Sequence, residues 1–423
     1  MVDVNKLKDI ELSGKGKVGS QVELISLTDP SGCAVPVAEI TPVEVGESGN
    51  WSLFLPQLSL KGNYKWAVQC TDIAGNTEML TDTILILEIL NARGQRVLLA
   101  SQYDKLVDYL MAFKYLSMDD YVHGFDLFRA RYDDNNSMKR AGLILNTNLL
   151  PIPNTNLLQK ETDVSNKAIL ISHEQGFGDV INFIRFAPIL KQKGAKAIYI
   201  HVLNPLWRLM QYNYGDICEV PKIGEKIGID YHLPVMDLPY ILETQANSVP
   251  YQSGYLTVAP QDSRASFQQF FLDNEKRQIA IVWRGNPDHR QDAIRSMELE
   301  VFLAHLPVEA KEANLYSLQF QPTEQEKAVL SKYGIINLGN SFEDFYDTAC
   351  AMKNLDALIS VDTSVVHIGG AMNIRTFVLL SDVCDWRWSP TKLTQENNWY
   401  ESVSCCRQST TGDWESAFKQ ITL

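Results

Sequence analysis

The chain has 423 residues, 45% of them apolar and 21% charged, enough apolar material for two or three domains of ~100–200 residues each. A formal net charge of −13 argues against a general nucleic-acid binder, whose affinity rests on phosphate neutralisation, but leaves room for a local basic pocket that takes a small phosphorylated ligand. No run approaches the ~20 apolar residues of a membrane helix, so no transmembrane segment is expected, and "MVDVNKLKDIELSGKG" at the start lacks the basic stretch and apolar core of a secretory signal.

Residues 1–92 read as all-β. Short alternating apolar runs, "SQVELISLTD", "NWSLFLPQL", "YKWAVQCTD" and "TDTILILEIL", are separated by "SGKGKVGS", "GESGN", "KGN" and "IAGNT". Strands at ~8–12-residue spacing with turn residues between them predict a β-sandwich. Gly14 and Gly16, "GNWSLFLP" at 49–56 and "GNYKWAVQCTDIAGNT" at 62–77 resemble the bacterial Ig-like modules that repeat in large surface adhesins. Cys33 falls in a turn-like "DPSGCA", which does not support a core disulfide with Cys70.

Residues 93–165 change character. "LASQYDKLVDYLMAFKYLS" and "MDDYVHGFDLFRARY" carry apolar residues at helical spacing, and Asp119 or Asp120 is placed to cap the second helix. The pair predicts a packing adaptor between domains, with docking of a partner protein as the other reading. Residues 136–165, rich in Asn, Thr and Pro, read as an ordered linker.

From 166 onward strands alternate with helices: "KAILIS", "AKAIYIHV", "QIAIVW", "NLYSLQF", "DALISV" and "RTFVLL" predict parallel-sheet α/β architecture. The length suits two Rossmann-like domains, 166–270 and 271–423, with a break near 262–277. Ligands of such folds bind at the carboxyl ends of the strands, beside helix N-termini, so the chemistry belongs in the loops that follow them.

Three loops carry it. In "HEQGFGDV", 173–180, Gly176 and Gly178 are expected to allow positive φ and close approach of a ligand. Ile181 stands where a dinucleotide fingerprint needs its third glycine, which disfavours a nicotinamide site. Asp179 falls at the helix start, where it serves as a cap or as a carboxylate held ionised for work as a base. "VWRGNPDHRQDAIRS", 282–296, gathers Arg284, Asn286, His289, Arg290 and Arg295 and reads as a phosphate or diphosphate grip, or else as a solvated loop. "ALISVDTSVVHIGGAM", 357–372, runs a strand into Asp362, Thr363 and Ser364, with His367 one turn into a helix whose N-terminus offers an anion site. Asp362 repels phosphate and suits hydroxyls, and the combination fits a sugar linked to a diphosphate. A plain helix cap by Thr363 or Ser364 is the alternative. The seven cysteines and seven histidines form no CxxC and no HExxH, so no metal site is expected. The cysteines read as thiols of a reducing compartment, which predicts a cytoplasmic protein.

Taken in order, "EQGFGDVINFIRFAP", "IVWRGNPDHRQDAIRS", "SLQ", "DFYDTACAMKNLDALISVDTSVVHIGGAM" and "DWRW" resemble the heptosyltransferase-like glycosyltransferases, the family-nine group, in the subset with a TPR segment before the catalytic part. The resemblance runs from about residue 105 to the C-terminus, and 99–135 stands where the last TPR-like helices would be. It implies a GT-B fold, with two Rossmann-like domains around a cleft, a returning C-terminal helix, and inverting, metal-independent transfer from a nucleotide-diphosphate sugar. No further cofactor is implied. Under the resemblance Asp179 is the general base. Asp362, Thr363, Ser364 and His367 hold the donor, Arg284, Asn286 or Arg290 supplies a phosphate contact, and Glu174, Gln175 and Asn182 lie on the acceptor side. The acceptor would be a protein or a cell-surface glycan, with protein contact through the Ig-like and helical segments. Two other readings compete: a catalytically lapsed GT-B module used for binding or scaffolding, and a GT-B nucleotide-sugar epimerase.

Overall fold

The computed structural model of the chain describes residues 11–423 apart from 16–18, 29–33, 37–39, 46–49, 55–61, 72–76, 91–95, 102–103, 133–156, 223–224, 226, 272–274, 290–291 and 392–393. It divides into two compact units, Met1–Leu110 with Ala130–Arg140, and Met111–Arg129 with Ala141–Leu423.

The first unit is antiparallel β. Strands β1 (Glu11–Lys15) and β4 (Asn50–Phe54) pair with each other. Strands β2 (Gln21–Thr28), β3 (Val43–Glu44), β5 (Gly62–Thr71), β6 (Thr77–Leu90) and β7 (Arg96–Ser101) form a second sheet in the order β3-β2-β5-β6-β7. In β2 the buried positions are Val22, Leu24 and Leu27. The period of two slips by one residue because the register with β5 shifts between Leu24 and Ser26, which is what a bulge does to a strand's facing. Because β7 continues the sheet, the strands run to Ser101 and end later than residue 92. Gly16, Gly49, the "DIAGN" turn and Cys33, on which part of the Ig-like resemblance and the disulfide question rest, lie outside the described residues.

Two helices follow, α1 (Asp104–Ser117) and α2 (Tyr121–Phe128). Asp119 takes left-handed backbone, φ 62°, and Asp120 is the cap, its Oδ1 accepting from the His123 N–H at 3.3 Å. A Cβ on Gly124 would stand 2.7 Å from the Leu116 side chain, so glycine sets how closely the two helices cross. Tyr121 stacks on Trp399 (ring centroids 5.2 Å), and Phe125 meets Phe183 and Trp386 edge-on at 6.0 and 5.6 Å. This aromatic packing seats α2 against Phe183, Trp386 and Trp399 of its own unit. Of the linker expected at 136–165, the part from Leu157 is described, and Leu157 bridges to His232.

The remainder is two parallel sheets. Strands β8 (Ala168–Ser172), β9 (Ala197–His201) and β10 (Tyr231–Pro234) lie in the order β10-β8-β9. Strands β11 (Gln278–Val282), β12 (Asn314–Ser317), β13 (Ile336–Asn337), β14 (Ala357–Val361), β15 (Thr376–Leu380) and β16 (Val403–Arg407) lie in the order β13-β12-β11-β14-β15-β16. Renumbered within the domain, that is 3-2-1-4-5-6, the doubly wound Rossmann order, whose switch point lies between β11 and β14. Strands β14 and β15 are buried throughout, as expected of central parallel strands covered on both faces.

The C-terminal helix, Trp414–Phe418, does not return to the first Rossmann-like domain. Ala417, Phe418 and Ile421 pack into the second domain's own core with Ile279, Phe302 and Phe377, and Phe302 and Phe418 meet edge-on at 5.2 Å. The apolar face of so short a helix is used up locally. Trp399 links elements of the two sheets instead: it meets Phe183 edge-on at 5.3 Å, and its carbonyl accepts from Arg185 Nη1 at 2.6 Å.

Candidate active site in the interdomain cleft

The first domain contributes the loop after β8. The chain turns at Gln175, φ 58°, and helix α3 (Phe177–Phe183) starts after Gly176. Asp179 Oδ2 accepts from the Gly176 N–H at 2.7 Å, so the carboxylate does close the helix start. Its Oδ1 meets Arg387 of the second domain. The carboxylate therefore caps its own helix and faces the cleft together, and the two readings of Asp179 do not exclude each other.

The glycines have other duties than expected. Gly176 has φ −88°, ordinary backbone, and the positive φ belongs to Gln175. A Cβ on Gly178 would lie 2.7 Å from His367 Cδ2 and 3.2 Å from Nε2. The missing side chain admits the second domain's histidine rather than a ligand.

The second domain contributes the loops on either side of its switch point. After β11, the Gly285 N–H donates to Ser296 Oγ at 2.9 Å and Ser296 Oγ donates to Asp292 Oδ1 at 2.7 Å. Arg295 crosses to the neighbouring loop, where its Nη1 donates to the Asp362 carbonyl at 2.9 Å. A Cβ on Gly285 would come within 2.4 Å of the Arg295 guanidinium, so glycine is needed for that crossing. After β14, Thr363 Oγ1 caps helix α4 (Ser364–Ala371), accepting from the Val365 N–H at 3.3 Å. His367 stacks on Trp388 at 5.3 Å, and its Nδ1 lies 2.9 Å from the Tyr400 hydroxyl.

These groups line a cavity of about 250 Å³ that takes in Gly176, Asp179, Asn286, Arg295, Ser364 and Arg387. Phe177, Asn286, Thr363 and Ser364 also line an adjoining, mainly apolar cavity of about 600 Å³, with Phe342 and Phe345 among its walls. A small polar chamber beside a larger apolar one is the usual make-up of a ligand site. Another depression, of about 420 Å³, lies by Arg277, Asp356 and Arg375 near the amino ends of β11, β14 and β15, away from the edge where parallel sheets bind ligands.

Charge in the polar chamber is concentrated. Arg387, buried itself, ion-pairs with Asp179 and with Asp385 at 2.9 Å. Burial raises the Asp179 carboxyl above its ordinary value, against the pull of Arg387 and the Gly176 N–H. Burial and the nearby Asp385 push Asp362 up to about 6, while Arg295 opposes. Burial, with Arg387 and Arg185 nearby, holds His367 well below the ordinary histidine range and therefore neutral.

Asp179, Asn286, Asp362, Thr363, Ser364, His367, Gly176 and Gly178 come together at this cleft. Arg284 lines the larger, mainly apolar cavity and not the polar chamber, and its charge is already paired. Its Nε and Nη2 hold Glu326 at 2.8 and 3.1 Å. Burial works against the ionised Glu326, but Arg284, the Thr323 N–H and Trp283 bring it down to about 2. Arg290 lies outside the described residues. Of the acceptor-side residues, Glu174 is fully buried, and Asn182 Oδ1 is tied inside the protein to Arg185 Nη2 at 3.0 Å and the Tyr400 hydroxyl at 3.1 Å. Neither presents its side chain to an acceptor, because the turn at Gln175 and the first turns of α3 direct them into the core. Gln175 sits at the turn itself, partly buried. Arg387 and Asp385 were not singled out as functional from sequence, although "DWRW" marked the spot, and Tyr400 carried no signal. Among the described residues no group of three or more His, Cys, Asp or Glu side chains is placed to hold a metal ion, and no helix is long and apolar enough to cross a membrane.

No protein-family profile matches the sequence, and no curated protein matches it. Among solved structures the chain is similar to a family-nine glycosyl transferase from Veillonella parvula (13% identity, TM-score 0.43, covering 63% of this chain and 92% of that one). It is also similar to the iron-containing dodecameric glycosyltransferase TibC of enterotoxigenic E. coli (8%, 0.40, 99% and 93%) and to the E. coli ADP-heptose heptosyltransferase II (11%, 0.40, 60% and 95%). Likeness at this level leaves the function to be argued from the residues of the cleft.

Proposed function

We propose that the chain is an inverting glycosyltransferase that moves a sugar from a nucleotide-diphosphate donor to a protein or cell-surface glycan, without a metal cofactor. The observation that carries this reading is the apposition across one cleft of Asp179, at a strand-end turn of the first domain, and the two switch-point loops of the second domain, with Arg295, Ser364 and the start of α4 between them. The ordered motifs that resemble family-nine enzymes fall on these same loops.

In the reaction, Asp179 accepts the proton of the acceptor nucleophile as that atom forms its bond to the anomeric carbon from the face opposite the diphosphate. The anomeric carbon–oxygen bond breaks, and the nucleoside diphosphate leaves with the electron pair. A base raised by burial is better matched to proton transfer near neutral pH than an ordinary carboxylate. Arg295, the N–H groups of α4 and the Ser364 hydroxyl meet the developing charge, the work that a divalent ion does elsewhere. The apolar chamber takes the nucleoside. The Ig-like resemblance points to contact with an acceptor protein. One observation favours a second reading, a binding module without turnover: the Asp179 carboxylate is engaged by Arg387.

The test is transfer and donor hydrolysis measured over a panel of nucleotide sugars, with wild type and Asp179→Asn, in the presence and absence of excess EDTA. Asp179→Asn is expected to keep donor binding and to lose about 100-fold or more in turnover, with EDTA without effect. Near-wild-type turnover in the variant returns Asp179 to helix capping. Donor binding without turnover in the wild type selects the binding module. Loss in EDTA restored by a divalent ion removes the metal-free account.

A further inference from the structure

His367 lies in the cleft with Nδ1 on the Tyr400 hydroxyl, so Nε2 is the ring nitrogen left for a ligand. Which nitrogen carries the proton follows from the groups behind it. Arg185 has only donors to offer, so the Asn182 atom 3.0 Å from its Nη2 is the carbonyl oxygen. That oxygen lies 3.1 Å from the Tyr400 oxygen. Of the two oxygens, the tyrosine's is the one that has a proton. Its single proton goes to Asn182 or to the neighbouring Tyr255 hydroxyl, whose own proton is given to the Ile181 carbonyl at 2.6 Å, and in either case it faces His367 as an acceptor. The histidine must supply the proton of the Nδ1 contact. Burial keeps the ring neutral, so a proton on Nδ1 means none on Nε2.

We propose that Arg185, Asn182 and Tyr400 lock His367 in its Nδ1–H tautomer, so that Nε2 serves the cleft as a hydrogen-bond acceptor for a sugar hydroxyl and not as a donor to the diphosphate. This rests on the reading of the cleft as a glycosyl-transfer site and changes the role the resemblance implies for His367. Tyr400 and Asn182 are positioning residues, acting through the ring. Stacking on Trp388 and the absence of a side chain at Gly178 hold the ring in place.

Two measurements test it. The first is two-bond proton–nitrogen NMR of the full chain labelled with ¹⁵N-histidine, the His367 signal being identified by its loss in His367→Gln. Wild type is expected to show the Nδ1–H tautomer, and Tyr400→Phe, which removes the acceptor, is expected to shift the population towards Nε2–H. An Nε2–H tautomer in the wild type overturns the proposal without any variant. The second compares affinities for uridine, adenosine and guanosine diphosphates with those for their sugar conjugates. His367→Gln should leave the affinity for the sugar-free diphosphate that binds best within about twofold and weaken its sugar conjugate by about tenfold or more, the scale of one lost hydrogen bond. Equal weakening of both overturns the hydroxyl-acceptor role. An Nδ1–H tautomer with no nucleotide bound by the wild type would leave the lock standing and remove the transferase reading beneath it.

Discussion

Arg387→Ala tests the charge arrangement of the cleft directly. The guanidinium is 8% exposed and the Asp179 side chain 16%, so the pair lies in the protein rather than on its surface. Removing one partner of a buried pair costs ~3–5 kcal/mol when the other charge has no escape. Here the abandoned Asp179 carboxylate can take up a proton, which lowers the expectation to ~2–4 kcal/mol near pH 8, or roughly 3–6 °C in thermal midpoint for a unit of this size. The sign with pH follows from linkage. Without Arg387, the folded-state pKa of Asp179 rises further above its unfolded value. The stability tied to that group is present below the unfolded pKa and is lost as pH rises through the folded one. The deficit of the variant relative to wild type should therefore shrink towards pH 5. Thermal unfolding of wild type, Arg387→Ala, Asp179→Asn and the double variant at pH 5 and 8 measures it, and the four form a double-mutant cycle. A coupling of about 1 kcal/mol or more between the two sites is expected at pH 8. Additive losses, or a deficit that does not change with pH, would refute the idea that Arg387 and Asp179 neutralise each other across the cleft.

Gly178→Ala should cost the ~1–3 kcal/mol of stability of an overpacked contact, read as a lower thermal midpoint, and weaken donor binding with it; an unchanged protein would mean that His367 and α3 are not apposed. Arg295→Ala should weaken nucleoside-diphosphate binding by ~1.5–3 kcal/mol, the range for charge-assisted hydrogen bonds. Arg284→Ala should lower the thermal midpoint through its Glu326 partner while costing that affinity less than Arg295→Ala does, and the reverse pattern in calorimetry would exchange the two arginines' roles. Asp362, ordinarily 3.8 and pushed up to about 6, holds its proton more tightly when folded, so stability should fall as pH rises from about 4 to 6 and level off above. Asp362→Asn should flatten that decline in denaturant titrations at fixed pH, and an unaltered slope would show that this carboxyl is not the group responsible.

Much of this architecture is legible in the sequence because long apolar runs leave few choices. Strands β8, β9, β11, β12, β14 and β15 all lie on the runs read as strands. Strands β10, β13 and β16 do not announce themselves: "YHLP" and "IN" are too short for a period, and "VSCCR" has its polar residues, Ser404 and Arg407, three apart and not alternating. The ends of elements are less legible still. The sheet of the first unit runs on to Ser101 because β6 is long enough to pair with β5 along its first part and β7 along its second. A short C-terminal helix can pack at home or cross to a neighbour, and only the apolar surface of Phe302, Phe377 and Ile279 decides which.

The site divides along a similar line. Residues whose chemistry is fixed by local position, such as Asp179 at its helix start and Thr363 at its cap, are readable from strand–loop–helix patterns. Residues whose role comes from a partner far along the chain are not. Arg284 and Arg295 look alike in "RGNPDHRQDAIR", but Glu326 claims the first and the Asp362 carbonyl turns the second towards the cleft. Asn182 looks available on an amphipathic helix until Arg185 and Tyr400 close over it. Gly178 is the clearest case. In sequence it is half of a glycine turn, and in the fold it is the point where α3 of one domain accepts the histidine of the other. A glycine that serves interdomain approach leaves the same mark as one that serves a ligand, since both need only the absence of a Cβ. What separates them is the atom 2.7 Å away, and that atom belongs to a residue 189 positions later by subtraction of 178 from 367.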